Sequence, residues 1–281
     1  MGEPVRGRLR WRPGVYVVCR DAAHLQAGID PPHRAVVPDR PAVRAALRAL
    51  PAVDEADPEA RPALRALRAS GLVLEGPEPA SALGTPQLRR ATEAQFGDDA
   101  ARRLDARRAA RIAVVGEQGH RATVQGLLRA AAVGLAGAGE VPTVSLVVTA
   151  AEPPRAEIDP LVHEGAPHLL VSVGASARVG PFVLPGQTAC LRCVDAHSPD
   201  PRRPIVLEQA AAAARAAGDV PVDPTLAALA LAWAVRDLTR YVEGDRPATW
   251  SAVVEIDHAM PAVHTAWARH PHCGCAWDVV C

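Results

Sequence analysis

The sequence predicts an α/β protein in two parts, a small N-terminal module and a larger domain built on a parallel sheet. Two observations carry this prediction. Short apolar runs separated by turn residues fill the first 79 residues, whereas strand-length runs alternate with helical patterns from Arg111 onward. Such alternation is typical of a doubly wound parallel sheet. We therefore expect a module at 1–79, a connector at 80–110 and an α/β domain at 111–281.

Each element of the N-terminal module has its own sequence signal. Apolar runs bounded by Pro, Gly and Asp predict four short strands, at 15–18, 24–29, 35–37 and 72–74. Pro41 marks a helix start, and apolar residues recur at helical spacing from there to Leu50. A second helix is expected over 58–70, ended by Gly71. This order of strands and helices predicts a winged-helix-like module.

A polar helix is expected in the connector, over 86–104. Beyond it, five strands and three helices are predicted, the strands at 112–116, 143–149, 168–173, 249–257 and 262–267 and the helices at 122–134, 158–165 and 224–241. Asp223 beside Pro224 marks the last helix start, because an Asp side chain accepts hydrogen bonds from free N–H groups there.

Composition limits the possible functions. The 281 residues carry 31 basic and 31 acidic side chains, so the formal net charge is zero. Every basic residue is Arg, which excludes Schiff-base, P-loop-lysine and Ser–Lys mechanisms. The balanced charge argues against nucleic acid as a partner, and no apolar run is long enough to span a membrane. We expect a cytoplasmic protein with neither partner.

The turn after the first strand of the larger domain is a candidate phosphate site. Gly116 and Gly119 flank it, but a full G-x-G-x-x-G motif would need Gly at position 118, where Gln stands. Glu140 is the only acid in the following Gly-rich stretch, and Glu117 would repel phosphate. An ordinary strand-to-helix turn also accounts for these residues. We expect a vestigial nucleotide site at most.

The cysteines are the strongest chemical signal. Four of the six form two close pairs, Cys190, Cys193, Cys273 and Cys275. Cys-x-x-Cys is a usual half of a tetrahedral zinc site, and the second pair supplies the other half. A redox pair, or His270 or His272 as a ligand, are the alternatives. Cys19 is expected to be a buried small hydrophobe, and Cys281 a tail residue.

Two segments resemble a known family. The run from Gly180 to Cys193 has the pattern G-P-x-x-x-P-G-x-T-x-C-L-x-C, and the chain later contains His270-Pro-His-Cys-Gly-Cys275. The sequence is similar to the ThiF-like partner proteins of azoline-forming cyclodehydratases, in the ubiquitin-activating-enzyme-like superfamily. These proteins bind precursor leader peptides in the biosynthesis of thiazole- and oxazole-modified ribosomal peptides, bacteriocins among them. The resemblance covers nearly the whole chain.

The resemblance implies a peptide-recognition module ahead of a Rossmann-like, adenylating-enzyme-type domain with a structural zinc staple. Adenylating relatives hold ATP with a full glycine turn, a ribose-binding Asp, an Arg and a Lys. This chain lacks the lysine, the complete turn and a clear ribose acid. ATP chemistry is therefore not expected here, and the resemblance assigns that chemistry to a separate YcaO-type cyclodehydratase. The chain is expected to be a non-catalytic scaffold.

Recognition of the leader peptide is then the remaining task. An extended peptide can add as a strand to an exposed sheet edge. The expected edge is the strand Ala35, Val36 and Val37, with Leu64 and Leu67 of the second helix forming the floor of the groove. Two other functions stay open at this point, an active ATP-dependent adenylyltransferase that activates a carboxylate and a DNA-binding winged helix. A homodimer is also left open.

Overall fold

The structure is a computed structural model that describes residues 9–50, 57–80, 82–218, 220–260 and 262–275. Its contacts divide the chain into two compact units, Met1–Asp105 and Ala106–Cys281. In the described part of the chain, no helix has both the length and the apolar character needed to cross a bilayer.

The first unit contains two small antiparallel sheets. Strands β1 (Leu9–Trp11) and β5 (Val73–Glu75) form one of them. The other has the order β2-β3-β4 and consists of Val17–Cys19, His24–Ala27 and Ala35–Pro38. The predicted strand at 35–37 is thus present as β4, and it is an edge strand. The strand predicted at 15–18 begins two residues later than expected.

Three helices follow or interleave with these strands, α1 (Pro41–Arg48), α2 (Arg61–Ala69) and α3 (Pro86–Phe96), and the boundary between the units falls within a fourth, α4 (Ala100–Ala109). The prediction of one continuous helix over 86–104 was wrong. Gly97 adopts a positive φ of 60°, which ends α3 and leads into a 3-10 turn before α4. The inner faces of β3 and β4 and the apolar sides of α1 and α2 form the core of this unit.

The second unit is built on a seven-stranded sheet with the order β12-β11-β10-β9-β8-β6-β7. Its strands are Arg111–Val115, Gly134–Leu135, Val144–Ala150, His168–Val173, Ala177–Val183, Ala252–Ile256 and Val263–Ala266, numbered β6 to β12 in chain order. Strands β6 to β9 are parallel, as predicted, but β10, β11 and β12 each pair antiparallel with their neighbour. Only residues 174–176 join β9 to β10, too few for the crossover that a parallel strand needs.

Five helices complete this unit, α5 (Gln118–Ala130), α6 (Arg155–His163), α7 (Leu191–Ala196), α8 (Arg203–Ala217) and α9 (Pro224–Val242). The main core lies between one face of the sheet and helices α5 and α9. The predicted cap of α9 is confirmed, because the Asp223 carboxylate accepts from the N–H groups of Thr225 and Leu226. Helices α7 and α8 and strands β7 and β10 were not predicted.

Candidate metal centre and peptide-binding edge

The four predicted cysteines come together in the second unit. Cys190 is the residue before α7 and Cys193 lies within that helix, so one helical turn places both thiols on the same side. Cys273 and Cys275 lie in the turn that follows β12. Their four Sγ atoms lie within 4.8 Å of one another, and both Cys190 and Cys193 are buried.

The sulfur–sulfur distances match a tetrahedral metal site. They are 3.8 Å from Cys190 to Cys193, 3.5 Å from Cys190 to Cys273, and 3.2 and 3.4 Å from Cys193 to Cys273 and Cys275. A tetrahedron with metal–sulfur bonds of about 2.3 Å has edges of about 3.8 Å, whereas a disulfide bond is about 2 Å long. The donor set is therefore right for a thiophilic cation, and the described cysteines are all free thiols.

The electrostatics of the cluster also favour a cation. Hydrogen bonds from the Cys190 thiol and from the backbone N–H of His270 lower the pKa of Cys193 to about 4, because they stabilise its thiolate. Burial raises the pKa of Cys273 to about 12. A divalent cation bound by these sulfurs would displace the proton of Cys273.

The cysteine cluster has apolar neighbours, and hydrogen bonds from backbone N–H groups hold the segments around it. Val183 and Ala189 pack against the buried cysteines, with Trp267 at the side. The Ser251 hydroxyl accepts a hydrogen bond from the N–H of Ala189, and the Ser251 carbonyl accepts one from the N–H of Trp267. A metal here would join α7 to the segment after β12. His270 and His272, the alternative ligands, lie outside the group of four in the described residues.

Helix α7 carries a second polar feature that was not predicted. Asp195 lies in α7 and accepts two hydrogen bonds from the guanidinium of Arg155, at 2.6 and 2.8 Å. Arg155 is only 2% exposed and also contacts Glu152 at 2.7 Å and Glu208 at 3.5 Å. The sequence held no signal for this cluster, because Asp195 and Glu208 lie 40 and 53 positions from Arg155.

The glycine turn after β6 has a structural explanation. A Cβ at Gly116 would lie 2.5 Å from the carbonyl oxygen of Val148, so the close approach of β8 requires glycine there. Gly119 lies in the first turn of α5 with open space around it. The Glu117 side chain is 69% exposed at the helix N-terminus, where an approaching phosphate would meet its negative charge.

The acidic residue that could bind a ribose already has other partners. Glu140, the only candidate, accepts a hydrogen bond from the N–H of Gly137 at 2.9 Å and pairs with Arg111 at 3.0 Å. Around this turn, Glu117 adds negative charge where a phosphate would approach, and Glu140 already has two partners.

The predicted peptide-binding strand has an open edge in the first unit. The N–H of Asp39 donates to the carbonyl of Ala23, and bonding alternates along an antiparallel pair. Val37 and Ala35 therefore bond to β3, whereas the N–H and C=O of Val36 point away from it. No described strand pairs with this outer edge of β4. At one end, the Ser70 hydroxyl donates to the carbonyl of Arg34 at 3.0 Å.

The role predicted for the second helix needs correction. Leu64 and Leu67 are 3% and 0% exposed and belong to the core beneath β4, so a peptide could not touch them. Helix α2 packs against β4, and these leucines support the strand from inside. Cys19, expected to be buried, is exposed on β2, the opposite edge strand of the sheet. Cys281 lies outside the described residues.

Comparison with known proteins identifies the fold. Neither a protein-family model nor a curated protein matches the sequence. The solved heterocyclase TruD matches with a TM-score of 0.69 at 16% identity, over 97% of this chain and 43% of TruD. A heterocyclase solved with substrate and cofactor gives 0.68 at 15% identity, over 97% and 40%. The chain therefore spans about two fifths of the length of these heterocyclases.

A third match has nearly the same length as this chain. MccB of E. coli gives a TM-score of 0.60 at 12% identity, over 95% of this chain and 96% of MccB. Other MccB structures contain the peptide MccA, one of them together with AMPCPP. At these identities the likeness shows a shared α/β fold.

Proposed function

We propose that this chain binds the leader peptide of a ribosomally made precursor and presents it to a YcaO-type cyclodehydratase for azoline formation. The motif resemblance supports this role, as does the fold shared with heterocyclases and with the peptide-bound MccB. The observation that carries the proposal is the open edge of β4 in the first unit. The chain itself supplies no catalytic group in this role.

The edge offers the leader a short, defined pairing site. The N–H and C=O of Val36 face outward, so an added strand would exchange two backbone hydrogen bonds with this residue. The Arg34 carbonyl is already engaged by Ser70, which limits pairing at that end. The leader would therefore be centred on Val36, with its side chains alternating between the outer face and the side of α2.

Substituting Val36 by Pro tests this pairing. Proline removes the outward N–H but leaves the bonds of Ala35 and Val37 to β3 in place, so the sheet should persist. We expect the full-length Val36→Pro protein to bind a fluorescein-labelled leader at least tenfold more weakly than the unmodified chain. The leader is that of the short precursor expected to be encoded beside this gene. Val36→Thr retains the N–H and should bind within about twofold.

Circular dichroism and thermal melting would confirm that both variants are folded. Equal leader affinity for Val36→Pro and Val36→Thr would show that the peptide does not pair with this edge.

We also propose that the four cysteines hold zinc in a structural role. With a cation bound, the four cysteines would fill all positions of a tetrahedral site and leave no open position for substrate or water. The cation would fasten α7 to the segment after β12. Such a staple accounts for the spacing of the two cysteine pairs without assigning them to redox chemistry.

An ATP-dependent adenylyltransferase is the second candidate, because the full-length match to MccB includes a structure with AMPCPP. Two residues argue against nucleotide binding: Glu117 would repel a phosphate, and Glu140 is already paired with Arg111. Pyrophosphate exchange with radiolabelled ATP separates the two functions. We expect no exchange by the purified chain alone, and measurable exchange would replace the scaffold proposal with the enzymatic one.

A further inference from the structure

A concave site lies in the second unit, and none of the four cysteines lines it. A cavity of about 490 Å³ opens beside the carboxyl ends of β8 and β9, at Ala151 and Gly174. Ligands of open α/β sheets collect at such strand ends. The volume falls within the range of about 300–1,000 Å³ that is usual for small-molecule sites.

Small side chains keep this space open. One face of α8 forms a wall through Ala210, Ala211 and Ala214, and Ala151 and Gly174 stand opposite. Protein interiors are otherwise packed almost without voids, and leucines at these helix positions would fill the space without breaking the helix. The alanines therefore keep a cavity that packing alone would close.

The charges around the cavity cancel one another. Its lining contains two arginines and two glutamates. Arg178 pairs with Glu152 and with Glu255, each at 3.0 Å. Glu152 is also held by the buried Arg155 at 2.7 Å. An anionic ligand that engaged Arg178 would have to break these pairs, whereas an uncharged ligand would leave them intact.

The helical wall is attached by polar contacts more than by packing. Ala211 is the only buried residue among those of α8. Glu208 accepts a hydrogen bond from the backbone N–H of Arg155 at 2.8 Å, and Arg215 donates to the carbonyls of Ala150 and Glu152. Little apolar contact is lost when such a helix moves outward, and water can replace the polar contacts, so α8 is the wall most easily displaced.

We propose that this cavity binds an uncharged, largely apolar ligand and that α8 is its movable wall. The site is independent of the peptide-binding edge, which lies in the other unit.

The uncharged dye Nile red tests the site on the full-length protein. The variant Ala210→Leu/Ala214→Leu fills the cavity, and Ala213→Leu/Ala216→Leu adds the same atoms on the exposed side of α8. We expect Nile red to bind the unmodified protein and the exposed-side variant alike, and the filled variant at least tenfold more weakly. Equal binding to the two variants would overturn the proposal.

Hydrogen exchange with two different dyes determines the class of ligand and does not depend on the Ala210→Leu/Ala214→Leu variant. On the unmodified protein, Nile red should slow amide hydrogen exchange in α8 and in residues 172–176, and unchanged exchange there would overturn the proposal. The anionic dye anilinonaphthalene sulfonate should not slow exchange at these sites. Protection by this dye that weakens with salt would show an anion site instead.

Discussion

Arg12 illustrates how a single buried side chain can hold several elements of the first unit. Its guanidinium donates to the carbonyls of Gly71, Ala94 and Gln95 at 2.9–3.1 Å. These carbonyls lie at or beyond the ends of α2 and α3, where helical partners are missing. Arg12→Leu should lower the free energy of unfolding by about 3 kcal/mol. Arg34→Leu, at an exposed site, should change it by less than about 0.5 kcal/mol. Urea denaturation measures both, and equal losses would contradict this role.

His168 predicts a dependence of stability on pH. It is fully buried on β9, its Nδ1 faces the carbonyl of Ala166, and burial lowers its pKa below the ordinary value of 6.5. Below about pH 6.5 the imidazole of His168 binds a proton in the unfolded chain but stays neutral in the folded one. The free energy of unfolding therefore falls as the pH falls. The loss is at most about 1.4 kcal/mol per pH unit. The unmodified protein should lose more unfolding free energy between pH 7.5 and 5.5 than His168→Gln does. If the free energy of unfolding fell equally with pH in both proteins, His168 would not be the cause.

Single residues also show what a sequence can and cannot predict. The four cysteines were predictable because metal ligands come in short pairs with fixed spacing. The contact of Arg155 with Asp195 was not, because the 31 arginines of this chain offer no local sign of which acid each will meet. Val36 was predictable as an edge residue, but its outward direction needed the backbone bond of Asp39 to Ala23.

At the scale of elements, the cysteine cluster predicts a specific loss of stability. Metal analysis should find about one zinc per chain, and Cys275→Ser should reduce it. The same variant should unfold several kcal/mol more easily, because the metal closes a long loop. Cys19→Ser makes the same chemical change at an exposed free thiol and should leave zinc content and melting temperature unchanged. Equal melting temperatures for the two variants would exclude a structural metal.

Strongly patterned elements were predictable, and those set by tertiary context were not. Strand β9 and helix α9 were found within one residue of the predicted bounds, since each has an apolar pattern and clear end signals. Strand β10 was missed because Gly180 and Pro181 interrupt its apolar pattern. Helix α8 was missed because its alanine-rich run lacks an apolar stripe, and its position depends on polar contacts made far along the chain.

At the scale of the whole molecule, the proposed function divides two tasks between the two units. Val36→Pro should weaken leader binding at least tenfold and leave zinc content unchanged. Cys193→Ser should lower stability and the stimulation of the partner cyclodehydratase, while leader affinity stays within about twofold. Leader titration, metal analysis and azoline formation by the partner enzyme measure the three effects. If Cys193→Ser weakened leader binding as much as Val36→Pro, the leader site would lie in the second unit.

The cysteine cluster also has a mechanical consequence. With a cation bound, the segment from Cys193 to Cys273, which are 80 positions apart (273 − 193), forms a closed ring that contains α8, α9, β11 and β12. A force applied to the two chain ends would pass through the metal and bypass this ring. About 290 Å of contour length would stay hidden until the metal–sulfur bonds broke. Chelation would release that length, so the cation sets how far the second unit can be stretched.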